Sequence, residues 1–344
     1  MSHGEHIRKL AARMGKADSQ AMQRILVCAM TDEEARFLLG LPASPEELAA
    51  RHGLSEPEIE AKLLDLARRG LVVPSRKVMR FPYPETLHDN LLSSAPQYIP
   101  SEMNRHWTAF YEDEGWAQEL GSARAASEIP ARRTIPIQSS VPSEVELLPH
   151  ENLAEIIEAH QEQITLRNCS CRARTRSCIH PMEVCLRFGE GAEYDLARGS
   201  GRRISADEAL SVALEAGRSG LLPTVANRSR VEALDFICFC CGCCCQVIDS
   251  ASRVGAIERS LAPSRFLTKL DIERCNGCGK CPKLCSAGAV EMEEMIGFDE
   301  PIAVIDPAKC VGCGVCIPRC PEAGAMWMEP VRPPDFIPEN PFGP

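Results

Sequence analysis

Eight cysteines in the last quarter of the chain fall into two copies of one pattern, Cys275-x2-Cys278-x2-Cys281-x3-Cys285 and Cys310-x2-Cys313-x2-Cys316-x3-Cys320. Thiolates spaced by three residues in a glycine-relieved loop wrap one corner of an iron-sulfur cubane, and the fourth cysteine of such a string ligates the cluster of the other copy. That rule assigns Cys275, Cys278, Cys281 and Cys320 to one [4Fe-4S] cluster and Cys310, Cys313, Cys316 and Cys285 to a second. Gly277 and Gly279, with Gly312 and Gly314, let each loop turn tightly and aim amides at sulfur. Zinc is the alternative occupant of CxxC pairs, but zinc does not call for the whole four-cysteine string twice.

Ten more cysteines lie upstream: Cys169, Cys171, Cys178 and Cys185 in one stretch, and Cys238, Cys240, Cys241, Cys243, Cys244 and Cys245 in FICFCCGCCC. On an extended strand, residues two apart point the same way, so Cys169 with Cys171, or Cys238 with Cys240, can meet one cluster. Adjacent cysteines point apart, so the run from Cys240 to Cys245 either divides between two centres or leaves thiols unligated, with Gly242 supplying a bend. Exposed unligated thiolates oxidise readily. The expectation is therefore one or two additional iron-sulfur clusters in the middle of the chain, with zinc as the rival occupant.

The segment from about Arg265 to Glu329 resembles the bacterial-type two-cluster ferredoxins, a resemblance that implies two low-potential one-electron centres. Ser286 stands where that family usually has proline, whereas Pro321 keeps it. From about Leu166 onward, the CxCR element, CLRFG, Gly220-Leu221, Asn227 and the ICFCCGCCC run are similar to a family of larger anaerobe iron-sulfur proteins with a C-terminal two-cluster domain. Members of that family are described only as 4Fe-4S binding or electron-transfer proteins.

Other elements must carry these sites. Thr31 with Glu34, Ser44 with Glu47 and Ser55 with Glu58 match the S/T-x-x-E capping box, and Gly53 and Gly70 suit helix ends. Three helices followed by LVV, a turn at Pro74-Ser75-Arg76-Lys77 and VMRFPY predict a winged-helix-like domain over 1–80. Its third helix, in the place of a reading helix, begins Ser55-Glu56-Pro57-Glu58-Ile59-Glu60, and carboxylates there disfavour contact with phosphates or bases. Trp107, Phe110, Tyr111 and Trp116 fall at helical spacing and read as core or interface packing. From Ile129 to Pro149 proline recurs without apolar periodicity, so 81–150 reads as an aromatic and proline-containing linker region. Leu153, Ile156, Ile157 and His160 mark an amphipathic helix, and Ser205 with Glu208 caps another.

The expected fold is α+β and multidomain: the helical winged-helix-like domain, a Cys-rich mixed domain over 151–264, a ferredoxin-like dicluster domain over 265–329 and a Pro-rich tail over 330–344. His160 reads as facing a helix core, His180 as a loop residue before Pro181, and Cys28 as a packed thiol in an apolar helix. Gly189-x-Gly191 lacks the third glycine of a dinucleotide fingerprint, and no preceding strand is expected. No flavin, nicotinamide or P-loop motif is present, so catalytic residues stay unassigned.

Net charge of −10 disfavours nucleic acid as a partner. No apolar run approaches a membrane span, and the N-terminus lacks an apolar core after a basic start, which together predict a cytoplasmic protein. The resemblance to the larger anaerobe iron-sulfur proteins implies an anaerobic system. The expected activity is single-electron transfer to a redox partner protein. The rivals are an oxidoreductase with a catalytic middle cluster and a redox-sensing winged-helix regulator, the latter predicting DNA binding that changes with oxidation.

Overall fold

The computed structural model describes residues 4–75, 78–94 and 102–339. Arg76 and Lys77 of the expected wing turn, and the end of the Pro-rich tail, lie outside the described residues. The chain divides into two compact units, one made of 1–116, 167–176 and 194–202, the other of 117–166, 177–193 and 203–344.

The first unit opens with α1 (Glu5–Arg13), α2 (Gln20–Ala29), α3 (Asp32–Leu38), α4 (Pro45–His52) and α5 (Glu56–Arg68). Two of the three predicted capping boxes form in full, Thr31 with Glu34 and Ser44 with Glu47, satisfying helix-start amides from both sides; at the third, the Ser55 amide and hydroxyl both donate to Glu58 Oε2. Gly53 ends α4 at φ 65°. Strands β1 (Val73–Ser75) and β2 (Val78–Arg80) pair antiparallel, Val73 opposite Arg80. Then come α6 (Pro84–Ser93) and α7 (Met103–Glu112), followed by α8 (Trp116–Ala125). Trp107, Phe110, Tyr111 and Trp116 are buried together around His88, whose ring meets that of Trp107 edge-on at 5.0 Å. They are core, as their spacing implied.

The chain continues through β3 (Arg132–Thr134), α9 (Leu153–Ala159), β4 (Ile164–Asn168), α10 (Ser170–Thr175), β5 (Glu183–Phe188), α11 (Gly189–Arg198), β6 (Gly201–Arg203), α12 (Ala206–Arg218), β7 (Leu222–Ala226), β8 (Phe236–Cys240), α13 (Gln246–Arg253), α14 (Ile257–Ser260) and β9 (Leu261–Ala262). Seven strands form one sheet in the order β6-β4-β5-β8-β7-β3-β9, antiparallel between β5, β8, β7 and β3 and parallel between β3 and β9. The proline-bearing segment read as a linker therefore supplies an internal strand. Arg132 lies opposite Ala226 on one side and Leu261 on the other, and Ile135 and Ile137 beyond it are buried. Three residues cannot display a period of two, so only the partners define this strand. Gly189 does follow a strand, β5, and opens α11, against expectation; Tyr194 stands where a third glycine would be needed.

The last quarter is built twice. β10 (Phe266–Leu270), α15 (Lys280–Leu284) and β11 (Val290–Glu293) frame the first cysteine string; β12 (Ile302–Ile305) and β13 (Met326–Pro330) frame the second. β10 pairs antiparallel with β13, and β11 with β12, so the start of each copy lies against the end of the other. The same bond recurs at both junctions: the Asp271 amide donates to Ala325 O at 2.9 Å and the Asp306 amide to Ala289 O at 2.8 Å.

Candidate metal centres

Strand pairing decides which cysteines meet. The β10–β13 ladder lays the stretch leading into Cys275 beside the stretch leaving Cys320, and Arg274 and Asn276 fasten it by donating to Ala323 O at 2.8 Å and Glu322 Oε1 at 2.7 Å. Cys275, Cys278, Cys281 and Cys320 line one cavity, closed by Leu270, Met292, Ala303 and Met326. Burial pushes the Cys281 thiol up to about 11, and the other three sulfurs add to the shift. Four thiols that disfavour one another's ionisation inside an apolar wall are a donor set that a cationic iron-sulfur core fits.

The β11–β12 ladder does the same for the other set. Cys313 is held well above its ordinary value, by burial first and then by Cys316, Cys285 and Cys310; burial takes Cys316 up to about 12. The Ala289 amide donates to Cys285 Sγ at 3.2 Å, a bond that favours the thiolate. Gly312, at φ 65°, has no substitute, because a Cβ there would lie 2.1 Å from Phe266 O. The former linker braces this loop: the Ile137 amide donates to Cys313 O at 2.8 Å and Ser140 Oγ to Gly314 O at 2.9 Å.

Residues 274–324 match the 4Fe-4S dicluster domain. The matched stretch holds all eight cysteines of the repeat and indicates [4Fe-4S] clusters in the C-terminal part of the chain. Comparison with curated proteins and comparison with solved structures each find no match. No described helix is long and apolar enough to cross a membrane.

The middle cysteines separate into groups. Cys178, Cys241, Cys243 and Cys244 bring their sulfurs within 4.8 Å of one another, with Cys178–Cys244 and Cys243–Cys244 both at 3.6 Å. The run divides between two groups, as expected, with Cys240 and Cys241 parting and Cys244 and Cys245 parting; only adjacent Cys243 and Cys244 converge, because the run leaves β8 as a turn at 242–244 where the strand rule no longer applies. Ser177 Oγ lies 3.2 Å from Cys244 Sγ. Cys238 and Cys240, two apart on β8, pack with Cys245 against Val247 and Ile248. Arg132 faces these three thiols; burial lowers its pKa, and the sulfurs more than offset that, for a net rise. Nothing in the sequence pointed to Arg132, which lies in the supposed linker. Cys185 is buried on β5. Cys169 caps α10 and Cys171 sits within it, so these two stand at a helix start and not on an extended strand.

The turn that carries Cys241 and Cys243 rests on the dicluster domain. The Gly242 amide donates to Ser286 Oγ at 3.1 Å, and a Cβ on Gly242 would come within 3.3 Å of Ser286 Cα. Ser286, the departure from the ferredoxin pattern, thus provides a hydroxyl that proline lacks, one residue from Cys285.

One sequence reading changes outside this region. Cys28 is only half-buried and its Sγ–H donates to Glu102 Oε1 at 3.3 Å, with His106 completing a second converging group; the Glu-x3-His spacing on one helix face was the legible signal. His160 caps α9, stacks on Phe188 at 4.5 Å and bonds Val231 O at 2.9 Å, and His180 lies in a loop.

Proposed function

We propose that the protein passes single electrons between its [4Fe-4S] clusters and a partner oxidoreductase. The observation that carries this reading is the interlocked repeat, in which each ladder gathers three cysteines of one string with the fourth of the other. The ligand sets are Cys275, Cys278, Cys281 and Cys320 for one cluster and Cys310, Cys313, Cys316 and Cys285 for the other. When bound, such clusters take up and release one electron each.

The chain's own residues set position, access and potential. Cys278 is exposed, which puts the first set within reach of a partner's surface, whereas Cys313 is sheltered. The Ala289 amide at Cys285 offsets thiolate charge and favours the reduced state of that set. Cys238, Cys240 and Cys245 are the ligands for a further cluster, and the guanidinium of Arg132 beside them raises its potential by the same electrostatic route. The winged-helix-like front end serves as a docking domain. Glu56, Glu58 and Glu60 at the start of α5 are exposed, and carboxylates there repel a phosphate backbone.

Anaerobic iron and sulfide analysis with EPR tests the reading. The dicluster domain accounts for about eight irons, and stoichiometric titration with a low-potential reductant adds about two electrons to them. Protein that holds these irons yet accepts no electron from the reductant refutes the proposal.

A further inference from the structure

The two kinds of cysteine group differ in spread. In a cubane each ligand sulfur sits on its own iron at a separate corner, so the four sulfurs stand well apart. Accordingly, among the described residues, no three of the dicluster cysteines come within 4.8 Å of one another. The sulfurs of Cys178, Cys241, Cys243 and Cys244 all do, and two of their separations are 3.6 Å. Four sulfurs around a single tetrahedral ion at a metal–sulfur distance of about 2.3 Å are separated by about 3.8 Å. A cubane does not fit between sulfurs this close; one ion does.

We propose that Cys178, Cys241, Cys243 and Cys244 form a mononuclear tetrathiolate site for one metal ion, zinc or a single iron, rather than a ligand set for a third cubane. Four thiolates and a tetrahedral arrangement select these two ions over harder, oxygen-preferring cations. The surroundings suit a closed, structural site: Cys241 and Cys244 are buried, and Ser177 Oγ reaches Cys244 Sγ. Bound there, the ion ties the 177–178 loop to the 241–244 turn, and that turn rests on Ser286 beside Cys285. The site holds the Cys-rich region against the second cluster's ligand loop.

Metal and acid-labile sulfide are measured on the full chain purified anaerobically. Every cubane brings one sulfide per iron, so wild-type protein carries about one metal atom in excess of its sulfide, whatever the number of cubanes elsewhere. Iron and zinc counts say which ion it is. Cys178→Ser and Cys243→Ser, at half-buried and exposed positions, each lose about one metal atom and no sulfide. A wild-type metal count equal to sulfide overturns the proposal even if the variants do not fold. So does loss of about four irons with four sulfides on Cys178→Ser. Electron uptake by the dicluster domain is a separate readout, so failure of the electron-transfer reading leaves this one standing, and the reverse also holds.

Discussion

His88 gives the first unit a pH dependence that a single substitution removes. The ring is fully buried, neither nitrogen has a hydrogen-bond partner, and Trp107 and Trp116 lie at 5.0 and 5.9 Å. Burial holds its pKa down to about 3 from an ordinary 6.5, with Arg174 adding to the shift and Asp89 opposing it. The folded state therefore refuses a proton that the unfolded chain accepts below about pH 6.5. The stability attributable to the neutral ring is complete above that pH and is lost as the pH falls, by about 1.4 kcal/mol per unit and by about 5 kcal/mol in all near pH 3. Between about pH 6.5 and 5 the loss is about 2 kcal/mol. What destabilises is the platform under α10, which carries Cys169 and Cys171: α10 packs on α6 and α7, with Arg174 over the Tyr111 ring at 3.5 Å. Denaturant unfolding by tryptophan fluorescence, in a Trp327→Phe background so that the signal comes from Trp107 and Trp116, reads the transition at several pH values. His88→Leu should raise stability near neutrality by about 1–3 kcal/mol, because two unpaired buried nitrogens are gone. It should also flatten the dependence between about pH 6.5 and 5 relative to wild type. Identical slopes in the two proteins refute the reasoning, since other groups, His150 included, are shared.

Cys275→Ser and Cys320→Ser, far apart in sequence, should each lower the iron content by about four and remove the same EPR signal, whereas Cys285→Ser removes the other; if Cys320→Ser instead matches Cys310→Ser, the interleaved ligand sets are wrong. Ser286→Pro should leave the Gly242 amide without its acceptor, costing about 1 kcal/mol and speeding hydrogen exchange at that amide by about fivefold; unchanged protection would show that the contact contributes nothing. Glu151→Ala should cost about 3–5 kcal/mol in the second unit, because Arg265, which meets both carboxylate oxygens at 2.9 Å, is left charged and buried; a loss below about 1 kcal/mol in chemical unfolding counts against that.

Features that depend on a few neighbouring residues were legible in the chain. The capping boxes of α3 and α4 need only a hydroxyl and a glutamate three residues apart, and the aromatic core on α7 needs only helical spacing. The doubled cysteine string likewise states its chemistry locally, and its match to the dicluster domain covers residues 274–324. Readings failed where distant partners decide. Arg132–Thr134 became a strand because β7 and β9 flank it, and Cys169 and Cys171 stand at a helix start although CxC is equally at home on a strand.

The sequence by itself therefore determined which atoms are available: eight thiols in a repeat for cubanes, ten more upstream, and glycines where the loops must turn. The spacing rule also assigned the repeat's thiols crosswise, and the pairings β10–β13 and β11–β12 agree with it. Only the tertiary structure decided how the upstream thiols divide: the turn after β8 sends Cys241, Cys243 and Cys244 to Cys178 while Cys240 and Cys245 join Cys238 beside Arg132. A metal centre is selected by the distances between ligand atoms, and those distances are set by strand pairing and turn geometry across long stretches of chain, which spacing along one string does not encode.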